Sequence, residues 1–579
     1  MRHFKKYIRA YWKLGLLSIL CVSLEAVCDL FQPKLMSRLV DSGVMKGDME
    51  LVIRVGITML GVVSLGAVFA LTRNIASSYV SQNFGRGLRD DLYVKIQSLT
   101  VDETDRLEGG SLITRMTNDV TQIQNSVNMT IRVFFKAPVM CVGALIMVTT
   151  LNIRAVFIII PVIIVVFTLI SISMKLSYPR FARMQQAIDK LNTTMREYLA
   201  GIRLVKAFRR FDAEEKRFDS ANDPLARRSI EAGRVMMIFG PFLQFFANMG
   251  IAAIIFLGAR WVGASLMEVG SIMAFVIYMQ QIMQSVHLIS HMLNLVVRIK
   301  TSGERVVEVF EAEEFHFGKD EPAAGDPSAP MIEFQNVSFS YKGSTGQPAL
   351  NDVSIMVERG ATVGVIGSTG SGKTSFASLI LRFYAPTEGG IKIGGTPIGD
   401  IPETQLRAKI AVVPQTATLF SGTIKENILW GKPGATEDEI VFAAESACAH
   451  DFILQCKDGY ETIIGQSGVN LSGGQKQRLS IARALIRKPE ILILDDCTSA
   501  LDAVTEANVR RNLAGLVSGM TCVLITQRIG TVMSCDVIAV LDRGRVAGFG
   551  THDELMRDCG LYRDIYRSQI GIYGKGGGD

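Results

Sequence analysis

Residues 361–383 read ATVGVIGSTGSGKTSFASLILRF. An apolar, strand-like run leads into Gly367, Ser368, Thr369, Gly370, Ser371, Gly372, Lys373 and Thr374, and a helix-like run follows. The pattern G-x-x-x-x-G-K-T is meaningful in that strand–loop–helix setting. Its glycines let backbone N–H groups face phosphate oxygens, and the helix N-terminus adds its dipole. Lys373 is expected to neutralise the β and γ phosphates of a nucleotide, with the Thr374 hydroxyl on Mg²⁺.

Working outward, apolar runs such as MIEFQNVSFSY (331–341), IAVVP (410–414), ILILDD (491–496) and TCVLIT (521–526) alternate with helical stretches. That alternation predicts an α/β domain with a parallel sheet. ILILDD ends in two carboxylates, and Asp495 fits the acid that holds Mg²⁺ in nucleotide hydrolases. Leu471, Ser472, Gly473, Gly474 and Gln475 open another helix, where two glycines make a second anion nest. A second phosphate site in one domain implies a second nucleotide, or one nucleotide shared between two copies.

The rest of the chain has a different character. Of 579 residues, 48% are hydrophobic and 20% charged, below the ~25% charge usual in soluble proteins, and mean hydropathy is +0.28. Disordered, coiled-coil, collagenous and small disulfide-framework classes are excluded. A net charge of +6 gives no case for nucleic-acid binding, since cytosolic loops of a membrane protein produce the same excess. Nine scattered cysteines without a C-x-x-C pair fit a reduced or membrane setting.

Apolar segments of spanning length fall at 14–36, 52–74, 134–153, 155–176, 236–259 and 269–292. Residues 175–234 hold 14 Lys or Arg, whereas the loop 259–270 holds only Arg260. The positive-inside rule therefore puts the long loops and both termini in the cytoplasm of a cell-membrane protein. MRHFKKYIRAYW reads as an interfacial helix, not a signal peptide. The resulting fold is an all-α six-helix transmembrane domain followed by an α/β P-loop nucleotide-binding domain. The expected boundaries are 1–305 for the membrane domain, 306–330 for a linker, 331–572 for the nucleotide-binding domain and 573–579 for a disordered tail.

Several polar residues fall inside the spans. Glu25 and Asp29 sit at i, i+4 and either line a cavity attractive to cations or pair with a neighbour near the outer end. Gln280, Gln284, His287 and His291 make one polar stripe of the last span, and Gln244 and Asn248 a pair in the fifth. Met273, Met279 and Met283 suit either adaptable ligand contacts or ordinary packing.

These motifs together resemble the ATP-binding cassette (ABC) half-transporters of exporter architecture over nearly the whole chain. LSGGQ matches the family signature, Gln415 its glutamine loop, Tyr341 its adenine-stacking aromatic, and Ser499–Asp502 its D-loop. FSGTIKENI (420–428) and FGTHDEL (549–555) are also typical. The resemblance implies a dimer in the bilayer, with each ATP between one P-loop and the other chain's signature. It also implies short docking helices, placed near Leu107–Arg115 and Phe211–Arg217.

Three positions depart from that family. Asp496 stands where a glutamate polarises the attacking water, Gln527 where the switch histidine stands, and Gln466 where glutamate is frequent. Asp496 carries its carboxylate one methylene closer to the backbone, and a misplacement near 1 Å can cost about 10²-fold in rate. Gln527 can donate a hydrogen bond but carries no charge. With the signature intact, the expectation is one subunit of a heterodimer resembling bacterial multidrug exporters, with a degenerate ATP site on this chain's own P-loop and a second half-transporter as partner. Its solute would be small, amphipathic or drug-like. A homodimeric exporter, a lipid or peptide translocator, a siderophore importer with exporter architecture and a membrane-bound ATP sensor are the alternatives.

Overall fold

The computed structural model describes residues 3–314, 325–344, 346–516 and 519–571; the side chains of 290–298, Met236, Ala503, Ala514 and Leu516 lie outside that description. The chain divides into two units, Met1–Gln97 with Gly109–Glu311, and Ser98–Glu108 with Ala312–Asp579.

The first unit is entirely helical. Its helices are α1 (Lys5–Ala10), α2 (Trp12–Arg38) and α3 (Met49–Gln97), then α5 (Gly109–Thr114), α6 (Val120–Met129), α7 (Lys136–Leu151), α8 (Ile153–Ala200), α9 (Ile202–Ala207), α10 (Phe211–Gly263) and α11 (Val269–Glu311); α4 (Val101–Leu107) belongs to the second unit. Among the described residues, six helical stretches are long and apolar enough to cross a membrane: Trp12–Val44, Met49–Gln97, Gly109–Leu151, Ile153–Ala200, Phe211–Gly263 and Val269–Ile289. α3 has 49 residues, about 74 Å at 1.5 Å per residue, more than twice the roughly 30 Å of hydrocarbon. The excess accounts for the polar periodic stretches between the expected spans. Asn152 makes the tight α7–α8 hairpin by accepting a hydrogen bond from the Arg154 N–H at 3.0 Å.

Pro33 shows how sequence shapes packing here. It lies inside α2 and has no N–H to give the Asp29 carbonyl. Gln281 Nε2 of α11 donates to that carbonyl at 3.3 Å, and Tyr278 donates its hydroxyl to the neighbouring Leu30 carbonyl at 2.7 Å. Tyr278, Met279 and Ile282 are fully buried beside them. Of the three methionines considered for ligand contact, Met279 and Met283 belong to this core and only Met273 is exposed. Packing is therefore the use the fold makes of the first two.

α11 continues to Glu311 with Val306 and Val309 buried. The linker expected from 306 thus starts inside a helix, because the helical pattern outlasts the apolar one. Residues 315–324 of that linker, and the 573–579 tail, lie outside the described residues.

The second unit carries two main sheets. One is six-stranded, in the order Arg545–Gly550, Val537–Asp542, Thr362–Gly367, Thr521–Thr526, Ile491–Asp495, Ile410–Val413, parallel except for the first, edge strand. Its inner strands are covered on both faces, which is why Ile491–Leu494 is a continuous apolar run. The other sheet is antiparallel, in the order Leu350–Val357, Ile332–Phe339, Glu388–Ile393, Thr396–Pro397. α4 packs with this unit: Thr100 caps it, Tyr384 donates to Asp105 Oδ2 at 2.7 Å, and Lys342 pairs with Asp102 at 3.4 Å. The docking helix expected at Leu107–Arg115 is therefore Val101–Leu107, just upstream. The second, expected at Phe211–Arg217, is the opening of α10; the short helix at that turn is α9.

Candidate functional site

The strand Thr362–Gly367 ends at the carboxyl edge of the six-stranded sheet, where ligands of open α/β sheets bind. The chain turns through Gly370 and Gly372 and enters helix α12 (Lys373–Ile380). Gly372 takes φ +100, and a Cβ there would meet Leu350 Cδ2 at 2.7 Å, so only glycine fits. Lys373 Nζ donates to the Gly367 and Ser368 carbonyls at 2.8 and 2.7 Å, curling over its own loop. Burial holds its ammonium below the usual lysine range, against the pull of Asp496 and Asp495.

A cavity of about 350 Å³ opens over this loop. Thr369, Gly370, Gly372, Lys373 and Thr374 line it, joined by Tyr341, Gln415, Asp495, Asp496 and Gln527. Five separate segments thus converge on one volume. Tyr341 is braced edge-on by Phe339 and Tyr384, at 4.8 and 5.2 Å between ring centroids, and shares a 2.9 Å hydrogen bond with Ser375. Burial and the neighbouring Asp496 raise the Asp495 carboxyl above the usual range. Burial also raises Asp496, against Arg528 and Lys373. Asp496 sits in the left-handed region at φ +44, and Gln415 Nε2 reaches its Oδ2 at 3.4 Å. Thr374, Gln415 and the two carboxylates are oxygen donors of the kind a hard divalent cation takes. No group of three or more His, Cys, Asp or Glu suited to a metal exists among the described residues. A cation here would complete its shell with water and with the nucleotide's oxygens.

The Leu471–Gln475 segment is not in this cavity. Ser472 caps the helix Gly473–Leu485: its Oγ accepts from the Gln475 N–H at 3.3 Å while Gln475 Oε1 accepts from the Ser472 N–H at 2.9 Å. Ser472 and Gly473 are exposed. The serine hydroxyl spends only its acceptor side on the cap, so its proton remains available to an outside oxygen. Asp502 is also apart, capping the next helix by accepting from Thr505 N–H and Oγ1 at 2.9 and 2.7 Å, which holds its carboxyl below the usual range.

Two residues absent from the sequence reading hold this site together. Glu506 is buried and accepts from Arg528 at 2.8 Å, Arg510 at 3.0 Å, Thr498 at 3.1 Å and Thr531 at 3.2 Å. It thereby ties the segment after Asp496 to the one after Gln527. Gln569 clamps the second segment from the other side, donating to the Gln527 carbonyl at 2.7 Å and accepting from the Ile529 N–H at 2.8 Å.

In the membrane unit, Glu25 is buried and engaged by two cations, Lys136 at 2.7 Å and Arg73 at 3.1 Å, and Asp29 pairs with Lys136 at 3.0 Å. The pairing reading describes these carboxylates. An open anionic wall for cations does not, because desolvation demands the partners. Nor is Glu25 near the outer end, since it lies midway along α2. Gln280, Gln284 and His287 share the exposed face of α11, while His291 falls among side chains outside the described residues. Gln244 and Asn248 are exposed and bonded to each other at 3.1 Å.

Six apolar spans joined to a P-loop domain with a separate, outward-facing signature helix define a membrane protein driven by a nucleotide. The ABC transporter transmembrane region family matches residues 16–286, and the ABC transporter family matches residues 350–499. The chain is 37% identical to the uncharacterized ABC transporter ATP-binding protein YfiB of Bacillus subtilis, over 99% of each chain. It is 30% identical to the ATP-dependent lipid A-core flippase of Chromobacterium violaceum, over 98% of this chain and 97% of the other. Among solved structures it superposes on a bacterial Atm1-family ABC exporter with ATP bound, at TM-score 0.77 and 26% identity, over 97% of this chain and 98% of that one. The chain belongs to the ABC transporters, as an exporter-type half-transporter that works as a dimer and is driven by ATP.

Proposed function

We propose that this chain is the degenerate-site half of a heterodimeric ABC exporter moving small amphipathic solutes out of the cell. The carrying observation is that Asp496 and Gln527 line the same cavity as Lys373, Thr374 and Asp495. In this reading Lys373 and the loop N–H groups would hold the phosphates, Tyr341 would stack on adenine, and Thr374, Gln415 and Asp495 would hold Mg²⁺, which would neutralise phosphate charge. Asp496 is too short to place the attacking water, and Gln527 carries no charge toward the developing one. Leu471–Gln475 and Asp502 complete a competent site on the partner's P-loop. The orientation rests on the positive-inside rule and puts the cassette and the N-terminus in the cytoplasm. The exposed stripe Gln280, Gln284 and His287 faces the passage between the halves.

The test is the double variant Asp496→Glu, Gln527→His, assayed for Mg²⁺-dependent phosphate release by the purified chain in lipid. Restored geometry should raise the rate about 10²-fold over the unmodified chain. A variant no faster than the original would sink the degenerate-site reading.

A lipid cargo is a second reading, favoured by the similarity to the named lipid A-core flippase. Movement of labelled lipid between leaflets by the assembled transporter, without movement of small dyes, would select it.

A further inference from the structure

A concentration of charge in the membrane unit lies on α8 and α10, just past the ends of their apolar stretches. Arg180 and Arg183 of α8, with Arg227, Arg228 and Arg234 of α10, line two adjoining cavities of about 430 and 580 Å³. Arg183 and Glu231 border both. Asp223 is the other carboxylate present, so positive charge is in clear excess. Among the described residues none of the five arginines forms an ion pair. Arg180 donates to the Leu176 carbonyl at 2.6 Å and Arg228 to the Arg183 carbonyl at 3.3 Å. Pro179 and Pro224 border the cavities, and each leaves a carbonyl of its helix without the usual N–H.

The positive-inside rule asks only for cations on this side of the membrane. It does not ask for five to converge, unpaired, on one groove. Guanidinium forks match phosphate in shape and charge. The depth fits as well: Arg180 follows the apolar stretch 155–176 by four residues, and Arg234 precedes 236–259 by two. At 1.5 Å per residue they lie about 6 and 3 Å past the apolar ends, and Arg183 and Arg228 about 10 and 12 Å past, a gap the long arginine side chain can span toward a headgroup. We propose that this groove binds the phosphate of an anionic lipid headgroup in the leaflet facing the cassettes. It is separate from the nucleotide cavity and independent of the heterodimer reading, and only the choice of leaflet rests on the orientation proposed above.

The test measures retention of phosphatidylglycerol against phosphatidylcholine by the full chain in nanodiscs, whose two faces are both open. Each interfacial arginine contributes about fivefold to anionic-lipid affinity, so Arg183→Gln with Arg228→Gln should cost about thirtyfold. The lysine pair Arg183→Lys, Arg228→Lys should lose less than about tenfold. Lys457→Gln with Arg511→Gln removes the same charge from the exposed surface of the second unit and should change retention less than about threefold. Unchanged ATP-analogue binding certifies that each variant is folded. Equal retention of the two lipids, or an equal loss in the Lys457/Arg511 variant, overturns the proposal. Binding of inorganic phosphate without lipid, weakened by the groove variant and with no preference for phosphatidylglycerol, would assign the groove to a soluble phosphate and overturn the lipid headgroup.

Discussion

Replacing Glu506 with glutamine keeps the shape of a buried side chain and removes its charge. Four donors converge on the native carboxylate, at 2.8 to 3.2 Å. An amide has one acceptor oxygen, so its NH₂ must turn toward groups that also donate. Arg510 and Arg528 are 40% and 51% exposed, so water repays part of what they lose. That places the cost at about 2–3 kcal/mol, below the 3–5 of a fully buried pair. For a domain of this size it corresponds to a fall of about 5–10 °C in melting temperature. The assay is thermal unfolding of the full chain in detergent, with fluorescent ATP-analogue binding measured in parallel. Glu506 touches neither Lys373 nor Tyr341, so affinity should change less than about threefold. A melting temperature within 1 °C of the original, or a collapse of binding without loss of stability, would refute the view that Glu506 acts by tying two loops together.

Lys373→Ala should weaken ATP-analogue binding about tenfold to a hundredfold by removing charge-assisted contacts to phosphate, read by equilibrium titration. Gly372→Ala should abolish that binding and destabilise the domain by about 1–3 kcal/mol, because φ +100 and the contact with Leu350 both exclude a Cβ; unfolding and titration check it. Asp495 is raised by burial, so the nucleotide-free fold binds its proton more tightly than the unfolded chain and loses stability as pH rises from the ordinary carboxylate range through the raised value. Asp495→Asn should therefore raise the nucleotide-free melting temperature at pH 7 while removing the Mg²⁺ dependence of ATP binding. Glu25→Gln should cost up to about 3–5 kcal/mol by leaving Arg73 and part of Lys136 uncompensated, seen as lost thermal stability in detergent, and Lys136→Gln in the same chain should recover part of it.

The sequence carried most of the cassette because its signals are local. Gly367–Thr374 is contiguous, and the turn at Gly372 can be anticipated from glycine alone. Asp495 came from the end of an apolar strand, Gln415, Asp496 and Gln527 from the family resemblance, and the sheet order then brings them together. Glu506 was silent because its partners stand 8, 22 and 25 residues away in sequence, besides an ordinary i, i+4 arginine. Glu25 was visible as an anomaly, but Lys136 lies 111 residues off, so the sequence could not choose between cavity wall and ion pair. α4 was misplaced because its start is set by the Thr100 cap and not by apolar periodicity. The arginine groove spreads over two helices joined by a hairpin, and sequence alone shows it only as an excess of basic residues.

The central claim is asymmetry between two ATP sites. The direct measurement is Mg²⁺-dependent ATP hydrolysis in lipid, for this chain alone and co-expressed with the second half-transporter proposed above. The account predicts little activity alone and strong activity together, lost when the glutamate after the partner's Mg²⁺-holding aspartate is removed. Full activity of this chain alone would contradict it and make Asp496 a working base in a symmetric homodimer.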